Sequence, residues 1–434
     1  MTPASRLQAA IDAIGEVLGA DRPADATIAA YFRGRRYIGA KDRKAIAHQV
    51  WRILRTRAKL TWALSADHAT PRLLVLGDLI AAENKTVNGT AAHFSGEKYE
   101  PEPLSAYERK IAARVEAVDF TKAPREVQFE LPEWLLAKFD KAFGAEADKE
   151  LAALGQEAPL DLRANVLKIN RDDLIAKLTA EELSPQPTPR APDGVRLDSR
   201  INLGTHAGFR DGLFEVQDEA SQLCAVLVAA APGMAVLDLC AGAGGKTLAI
   251  AATMQNKGRL VACDVSVPRL ERSKLRLRRA GVNNTTLRIL EENDKWMRRQ
   301  AGMFDRVLVD APCSGTGAWR RNPDARWRLA TSNLVNLKAT QDGVLDQAAP
   351  LVKPGGRLIY ATCSLLPEEN SERIAQFLAR NDAFRVLPVA DVWRAQLSPL
   401  GSGEAPTSED FLTLTPARHG TDGFFVAILE RKAD

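Results

Sequence analysis

"MAVLDLCAGAGGKTLAIAATM", Met234 to Met254, runs from an apolar strand through a glycine-rich turn into a helix. The same order recurs downstream in "GRLVACDVSVPRLERSKLRLRRAG" from Gly258, "TLRILEEND" from Thr286, "FDRVLVDAPCSGTG" from Phe304 and "GGRLIYATCSLLPEENSERIAQFLARN" from Gly355. Short apolar strands alternating with helical segments predict a mostly parallel, doubly wound sheet, an α/β domain of Rossmann-like type. "GFFVAILERK", from Gly423, adds a late strand.

The first turn has three readings. Its "GKT" resembles a P-loop, but that motif needs a glycine five residues before Gly245, where Cys240 stands. A dinucleotide fingerprint needs G-x-G-x-x-G; Gly242 and Gly244 fit, and Thr247 does not. The third reading is an S-adenosylmethionine (AdoMet) site, in which glycines let the backbone approach a ligand over the strand ends. Asp238 then meets the ligand's charged amino group and Asp264, at the next strand tip, its ribose hydroxyls. Glu291, Glu292 and Asn293, after the third strand, are candidates for the adenine edge. One acid at a strand end reads as a turn or cap residue; acids at three successive tips beside a glycine turn read as cofactor binding.

Upstream the texture differs. Leu7, Ile11, Ile14 and Leu18 have helical spacing, with Ser5 as N-cap, and "DRKAIAHQVWRILRTRAKLTWAL" from Asp42 continues the helical pattern. Glu83 to Ala106 is polar, with glycines and prolines, and reads as a loop. From Pro159 a strand-like "LDLRANVLKI", a helical "RDDLIAKLTAEEL" and a proline-rich loop predict a small α+β unit. The expected division is a helical domain over 1–145, an α+β subdomain over 146–212 and the Rossmann-like domain over 213–434.

Apolar content of 45% and charged content of 26% over 434 residues describe a globular protein. With no secretory signal and no apolar stretch long enough for a bilayer, a cytoplasmic location without membrane contact is expected. Five cysteines without a C-x-x-C pair predict free thiols and no metal site; Cys224 and Cys263, in apolar runs, read as core. Net charge is only +4, but its distribution is uneven. Tyr31 to Leu60 holds ten Lys/Arg against Asp42 alone, Arg269 to Gly281 is basic, and "AWRRNPDARWRL" from Ala318 sets Trp319 and Trp327 among four arginines. Basic runs with aromatics point to nucleic acid, the tryptophans holding flanking nucleotides or else packing as core.

Cys313, in "DAPCSGTG" after the fourth strand, and Cys363, in "YATCS" after the fifth, are thiols at strand tips. A thiol there suits attack on carbon. The C5 atom of a pyrimidine is too poor a nucleophile to take a methyl group directly, and thiolate addition at C6 turns the ring into an enamine-like species that can. Asp310 is placed to bond cytosine N3 as charge develops there. Arg320 and Arg321 follow closely in sequence, cations of the kind that favour a thiolate.

These residues resemble the Sun (Fmu) family of RNA cytosine-5 methyltransferases. "LRANVLK", "FEVQDEASQL", "DLCAGAGGKT", "DAPCSGTG", "YATCSLLPEEN" and "TDGFF" occur in the family's order along most of the chain. The resemblance implies Cys363 as nucleophile and Cys313 as the thiol that assists breakdown of the covalent adduct. It places AdoMet on Cys240, Ala241, Gly242, Ala243, Gly244, Gly245, Lys246, Asp264, Glu291 and Asp310. The turn here lacks a proline common in the family, and "LEEND" lacks its Asp-Gly pair. The basic helical N-terminus resembles the NusB-like RNA-binding domain of the small-subunit rRNA members, and the small α+β unit is expected to be RRM-like. Implied, therefore, is a monomer that methylates C5 of a cytosine in 16S ribosomal RNA, at a single-stranded or locally opened site. The rivals are a tRNA cytosine-5 methyltransferase and a non-catalytic RNA-binding assembly factor on the same fold.

Overall fold

A computed structural model describes residues 1–65, 69–83, 85–198, 201–291, 294–407 and 409–433. The chain forms two units, Met1–Gln156 with Trp319–Leu329, and Glu157–Ala318 with Ala330–Asp434.

The first unit is helical, with principal helices Pro3–Leu18, Ala24–Gly34, Ala40–Arg55, Arg57–Leu64, Pro71–Glu83, Ala106–Ala117, Glu133–Phe143 and Ala147–Gly155. Its core includes Ile14, Val50, Leu64 and Leu76, the apolar positions that recur at helical spacing. The first helix is capped by Thr2, whose hydroxyl accepts from the Ser5 amide at 3.0 Å, and Ser5 lies inside it. Pro3 explains the difference: with its φ fixed and no N–H to satisfy, it starts the helix earlier. The run from Asp42 is broken at Thr56, after which Glu130, from far along the chain, accepts the Ala58 and Lys59 amides at 2.7 and 3.0 Å. Within Glu83–Ala106 a short helix, Val87–Ala91, is capped by Thr86. Helix Ala147–Gly155 carries this unit past residue 145, because it buries Leu151 and Leu154.

Trp319–Leu329 is part of this helical core. Trp319 is fully buried, its ring 6.0 Å from that of Phe139. Arg326 is buried with it, its guanidinium donating to the carbonyls of Glu130 and Leu154 at 3.3 and 3.2 Å. Asp324 accepts the Ala24 amide at 3.1 Å. The reading of Trp319 as a nucleotide platform is therefore wrong: its ring serves packing, and Trp327 is half-buried near Arg57.

The second unit carries two sheets. In the smaller, β1 (Leu160–Ala164), β2 (Pro185–Pro187), β3 (Gly194–Leu197) and β4 (Phe214–Val216) pair antiparallel in the order β2-β3-β1-β4. The larger contains β5 (Ala235–Asp238), β6 (Arg259–Asp264), β7 (Thr285–Ile289), β8 (Phe304–Asp310), β9 (Val352–Thr362), β10 (Phe384–Val386), β11 (Leu412–Leu414) and β12 (Phe424–Arg431). Its order is β10-β12-β9-β8-β5-β6-β7, with β11 on β12. The run β9-β8-β5-β6-β7 is parallel, as the alternating pattern predicts, and β12 enters antiparallel beside β9. The order reverses at β5, between β6 and β8, so a crevice opens over the carboxyl ends of these strands. Among the described residues no helix is long and apolar enough to cross a membrane.

Candidate active site

On one side of the crevice is the turn between β5 and helix Gly245–Thr253. Gly244 caps that helix at φ +81°, and a Cβ there would lie 2.3 Å from the Ser273 hydroxyl. Two arginines grip the turn from below: Arg276 donates to the Ala243 carbonyl at 2.8 Å and Arg163 to that of Gly245 at 3.0 Å. Arg276 is itself held by buried Glu215 on β4.

Asp238 ends β5 almost fully buried. One of its oxygens accepts from the Thr247 hydroxyl at 2.6 Å; the other, Oδ1, has no partner. Burial pushes its pKa up to about 7, because a carboxylate without a cation is costly away from water. Asp264 ends β6 and accepts the Gly242 and Ser266 amides at 2.8 and 2.7 Å, one on each oxygen, which leaves each oxygen a second lone pair. Glu291 follows β7 and is exposed, while Glu292 and Asn293 lie outside the described residues.

This donor set fits AdoMet. A buried acid with a free oxygen suits an ammonium group, an oriented acid at the next strand tip suits vicinal hydroxyls, and a Cβ at Gly242 would meet only open space.

On the other side, β8 and β9 bring their tips together. The Cys313 and Cys363 sulfurs are 3.5 Å apart. Asp310, at the end of β8, accepts from Lys246 at 2.7 Å, which ties the thiol strand to the glycine-turn helix. Burial opposes the charge on Lys246, but Asp310 outweighs it and raises the pKa. The Cys313 thiol is pushed well up by its hydrogen bond with Cys363, by burial and by the nearby charge of Glu369. Arg320 and Arg321, expected to favour thiolate, fold with the helical unit.

Close packing fixes the two tips. The Gly317 amide donates to the Cys363 carbonyl, and the Gly423 amide to that of Gly317, each at 2.9 Å. A Cβ on Gly317 would sit 2.2 Å from the Gly423 carbonyl oxygen. Cys224 and Cys263 are fully buried, and burial pushes both up to about 12, which matches their reading as core.

The sequence reading missed Arg163, Arg276 and Glu215, which shape the turn from outside it. One signal was available: Arg163 and Glu215 are charges inside strands that otherwise read as buried. The basic run from Arg269 is two-faced, with Arg276 and Arg279 turned in to Glu215 and Arg269, Arg272, Lys274 and Arg278 exposed.

Residues 225–430 match the family model for 16S rRNA methyltransferase RsmB/F, and residues 131–204 match the ferredoxin-like domain of RsmF/B-like methyltransferases. A protein of Synechocystis sp. named probable ribosomal RNA small subunit methyltransferase B is 34% identical over 332 residues, which is 76% of this chain and 73% of that protein. The crystal structure of PH0851 superposes with a TM-score of 0.79 at 26% identity, covering 99% of each chain. That of a methyltransferase homolog protein from Pyrococcus horikoshii gives 0.58 at 27% identity, over 70% of this chain and 97% of that one. The chain belongs to the RsmB/F family and is an AdoMet-dependent methyltransferase.

Proposed function

We propose that this chain methylates C5 of a cytosine in small-subunit ribosomal RNA through a transient bond between Cys363 and C6 of the base. The observation that carries the reading is the pair of thiols 3.5 Å apart on neighbouring strand tips, beside Asp310 and across from the cradle of Asp238 and Asp264. Addition of the Cys363 sulfur to C6 makes C5 electron-rich. Cys240 to Lys246, Asp238, Asp264, Asp310 and Glu291 would hold AdoMet, which when bound would supply the electrophilic methyl group. Asp310 bonds the base at N3, and its own orientation is set by Lys246. Transfer of the C5 proton to water and departure of the Cys363 sulfur with the C6–S electron pair then restore the aromatic ring.

Cys313 assists that departure. It lies 3.5 Å from the leaving sulfur, within hydrogen-bonding reach, and so is placed to donate to that sulfur as it departs. The name of the Synechocystis relative supports ribosomal RNA as the substrate. So do the exposed cations Arg33, Arg36, Lys41 and Lys44 of the helical unit, with Tyr37 among them 76% exposed. A base must leave its stack to reach two half-buried thiols.

The test is trapping. With small-subunit rRNA and AdoMet, Cys313→Ala accumulates a covalent protein–RNA adduct and Cys363→Ala forms none. Adduct on Cys363→Ala but not on Cys313→Ala reverses the two roles, and label incorporated elsewhere than cytosine C5 refutes the reading.

A further inference from the structure

We infer that Glu369 is the positioning residue of the two-thiol site, holding the Cys313 and Cys363 turns in register through the serine that follows each cysteine. The inference rests on the reading of these cysteines as the reacting pair.

Glu369 lies in the short segment after β9 and is fully buried. Its carboxylate accepts four hydrogen bonds. From the Cys313 turn come the Ser314 amide, at 2.8 Å, and the Ser314 hydroxyl. From the Cys363 turn comes the Ser364 hydroxyl, at 2.5 Å. The fourth is the Gln341 side-chain amide at 3.0 Å, which also donates to the Pro312 carbonyl at 2.9 Å. Four donors fill the lone-pair directions of one carboxylate. Among the described residues no lysine, arginine or histidine forms an ion pair with it.

A buried, unpaired carboxylate would be a poor choice for stability alone, since well-packed apolar side chains hold two turns at lower desolvation cost. What a carboxylate does that an apolar contact does not is fix direction. It accepts from the residue after each cysteine, so the orientation of one turn is referred to the other through a single planar group. The backbone of Glu369 is fixed in turn, its carbonyl accepting from the buried Tyr360 hydroxyl at 2.7 Å. Asn370, the next residue, donates to the Ser364 carbonyl at 2.9 Å and accepts from Thr362 at 2.6 Å. Glu369 hydrogen-bonds neither sulfur, so it positions them through Ser314 and Ser364, while its charge also bears directly on the Cys313 thiol.

The test uses the full-length protein with rRNA and AdoMet. Glu369→Ala removes all four bonds and is expected to lower kcat roughly a hundredfold, with the KM for AdoMet and the affinity for RNA within about twofold of wild type. Glu369→Gln keeps the shape and, with the serine hydroxyls reversed, a partner for each donor; it is expected to recover kcat to within about tenfold. Ser314→Ala, which leaves three donors on the carboxylate, is expected to fall between them and decides the matter if Glu369→Ala does not fold. Wild-type kcat in Glu369→Ala or in Ser314→Ala overturns the inference. So does a loss of kcat matched by an equal loss of AdoMet affinity, which marks a merely structural role. The Cys313→Ala trap is run beside them: if it gives no adduct, the two-thiol reading fails whatever Glu369 does.

Discussion

The two sides of the crevice satisfy their polar groups in opposite ways. On the glycine-turn side, Asp238 keeps a buried oxygen without a partner and Gly242 faces open space. On the thiol side, Glu369 is saturated with donors and Gly317 meets Gly423 backbone to backbone. The first side holds bonding capacity in reserve for a ligand, at the cost of a strained protonation equilibrium. The second spends all of it on geometry, as the proposed two-thiol reaction requires if two sulfurs are to stay within reach while a base enters and leaves. Function can therefore be read from where hydrogen bonding is incomplete as well as from where it is complete.

The largest expected effect falls on the thiol side. Cys363→Ala is expected to lower kcat by about 10⁴-fold or more, on the order seen when a nucleophile is removed, with AdoMet binding unchanged by calorimetry. A smaller loss would mean that the saturated network there serves packing only.

Glycines offer a matched pair. Gly317→Ala drives a methyl group into the Gly423 carbonyl, an overpacking that costs about 3 kcal/mol. It is expected to lower the thermal midpoint by several degrees and to displace the Cys363 turn. Gly242→Ala has room but φ +56°, so it costs only about 1–2 kcal/mol of backbone strain and acts mainly by weakening AdoMet. Equal losses of stability in the two variants would erase the contrast between the sides.

Asp238 gives a pH test of the reserved side. Its folded pKa of about 7 lies above the unfolded value of about 3.9. Between those values the folded chain binds a proton that the unfolded chain has lost. This contribution to stability is thus full below about pH 4 and declines as pH rises to about 7. Binding an ammonium group requires the ionised acid and so has the opposite sign. AdoMet affinity is expected to rise roughly tenfold between about pH 6 and 7.5 by calorimetry, and to lose that rise in Asp238→Asn. An unchanged pH dependence in the variant removes Asp238 from the ligand cradle.

Much of the reserved side was legible in the sequence, and less of the saturated one. The strand tips Asp238, Asp264, Asp310, Cys313 and Cys363 stand where alternation of strand and turn puts them, because parallel strands deliver their carboxyl ends to one edge. Local grammar also predicts helices in the first unit, though not the cap at Thr2, the break at Thr56 or the short helix Val87–Ala91. What escaped were contacts between residues far apart in sequence. Glu130 caps a helix begun some seventy residues earlier, and Trp319 and Arg326, close to Cys313 in sequence, pack in the helical core. Arg163 reaches from β1 to Gly245. No periodicity encodes such pairings; they follow from which buried charge finds which carbonyl after the sheets have formed.

The smallest expected effect separates two uses of one residue type on a single helix, Val267–Ala280. Arg276 points inward to Glu215 and the Ala243 carbonyl, whereas Lys274 and Arg278 face solvent. Arg276→Ala leaves buried Glu215 with Arg279 as its remaining arginine partner and frees the turn, so its effect is expected in thermal stability and AdoMet affinity, with RNA binding at fixed salt little changed. In Lys274→Ala with Arg278→Ala, stability is expected to stay within about 0.5 kcal/mol of wild type. Each exposed cation that neutralises a phosphate contributes roughly one unit to the slope of log affinity against log salt. If this face meets the RNA backbone, the double variant is expected to flatten that slope by about two. If the slope is unchanged, the outward cations of this helix are a solvated face and the RNA is held by other cations. The inward arginine would keep its place in either case, since its partners are in the fold.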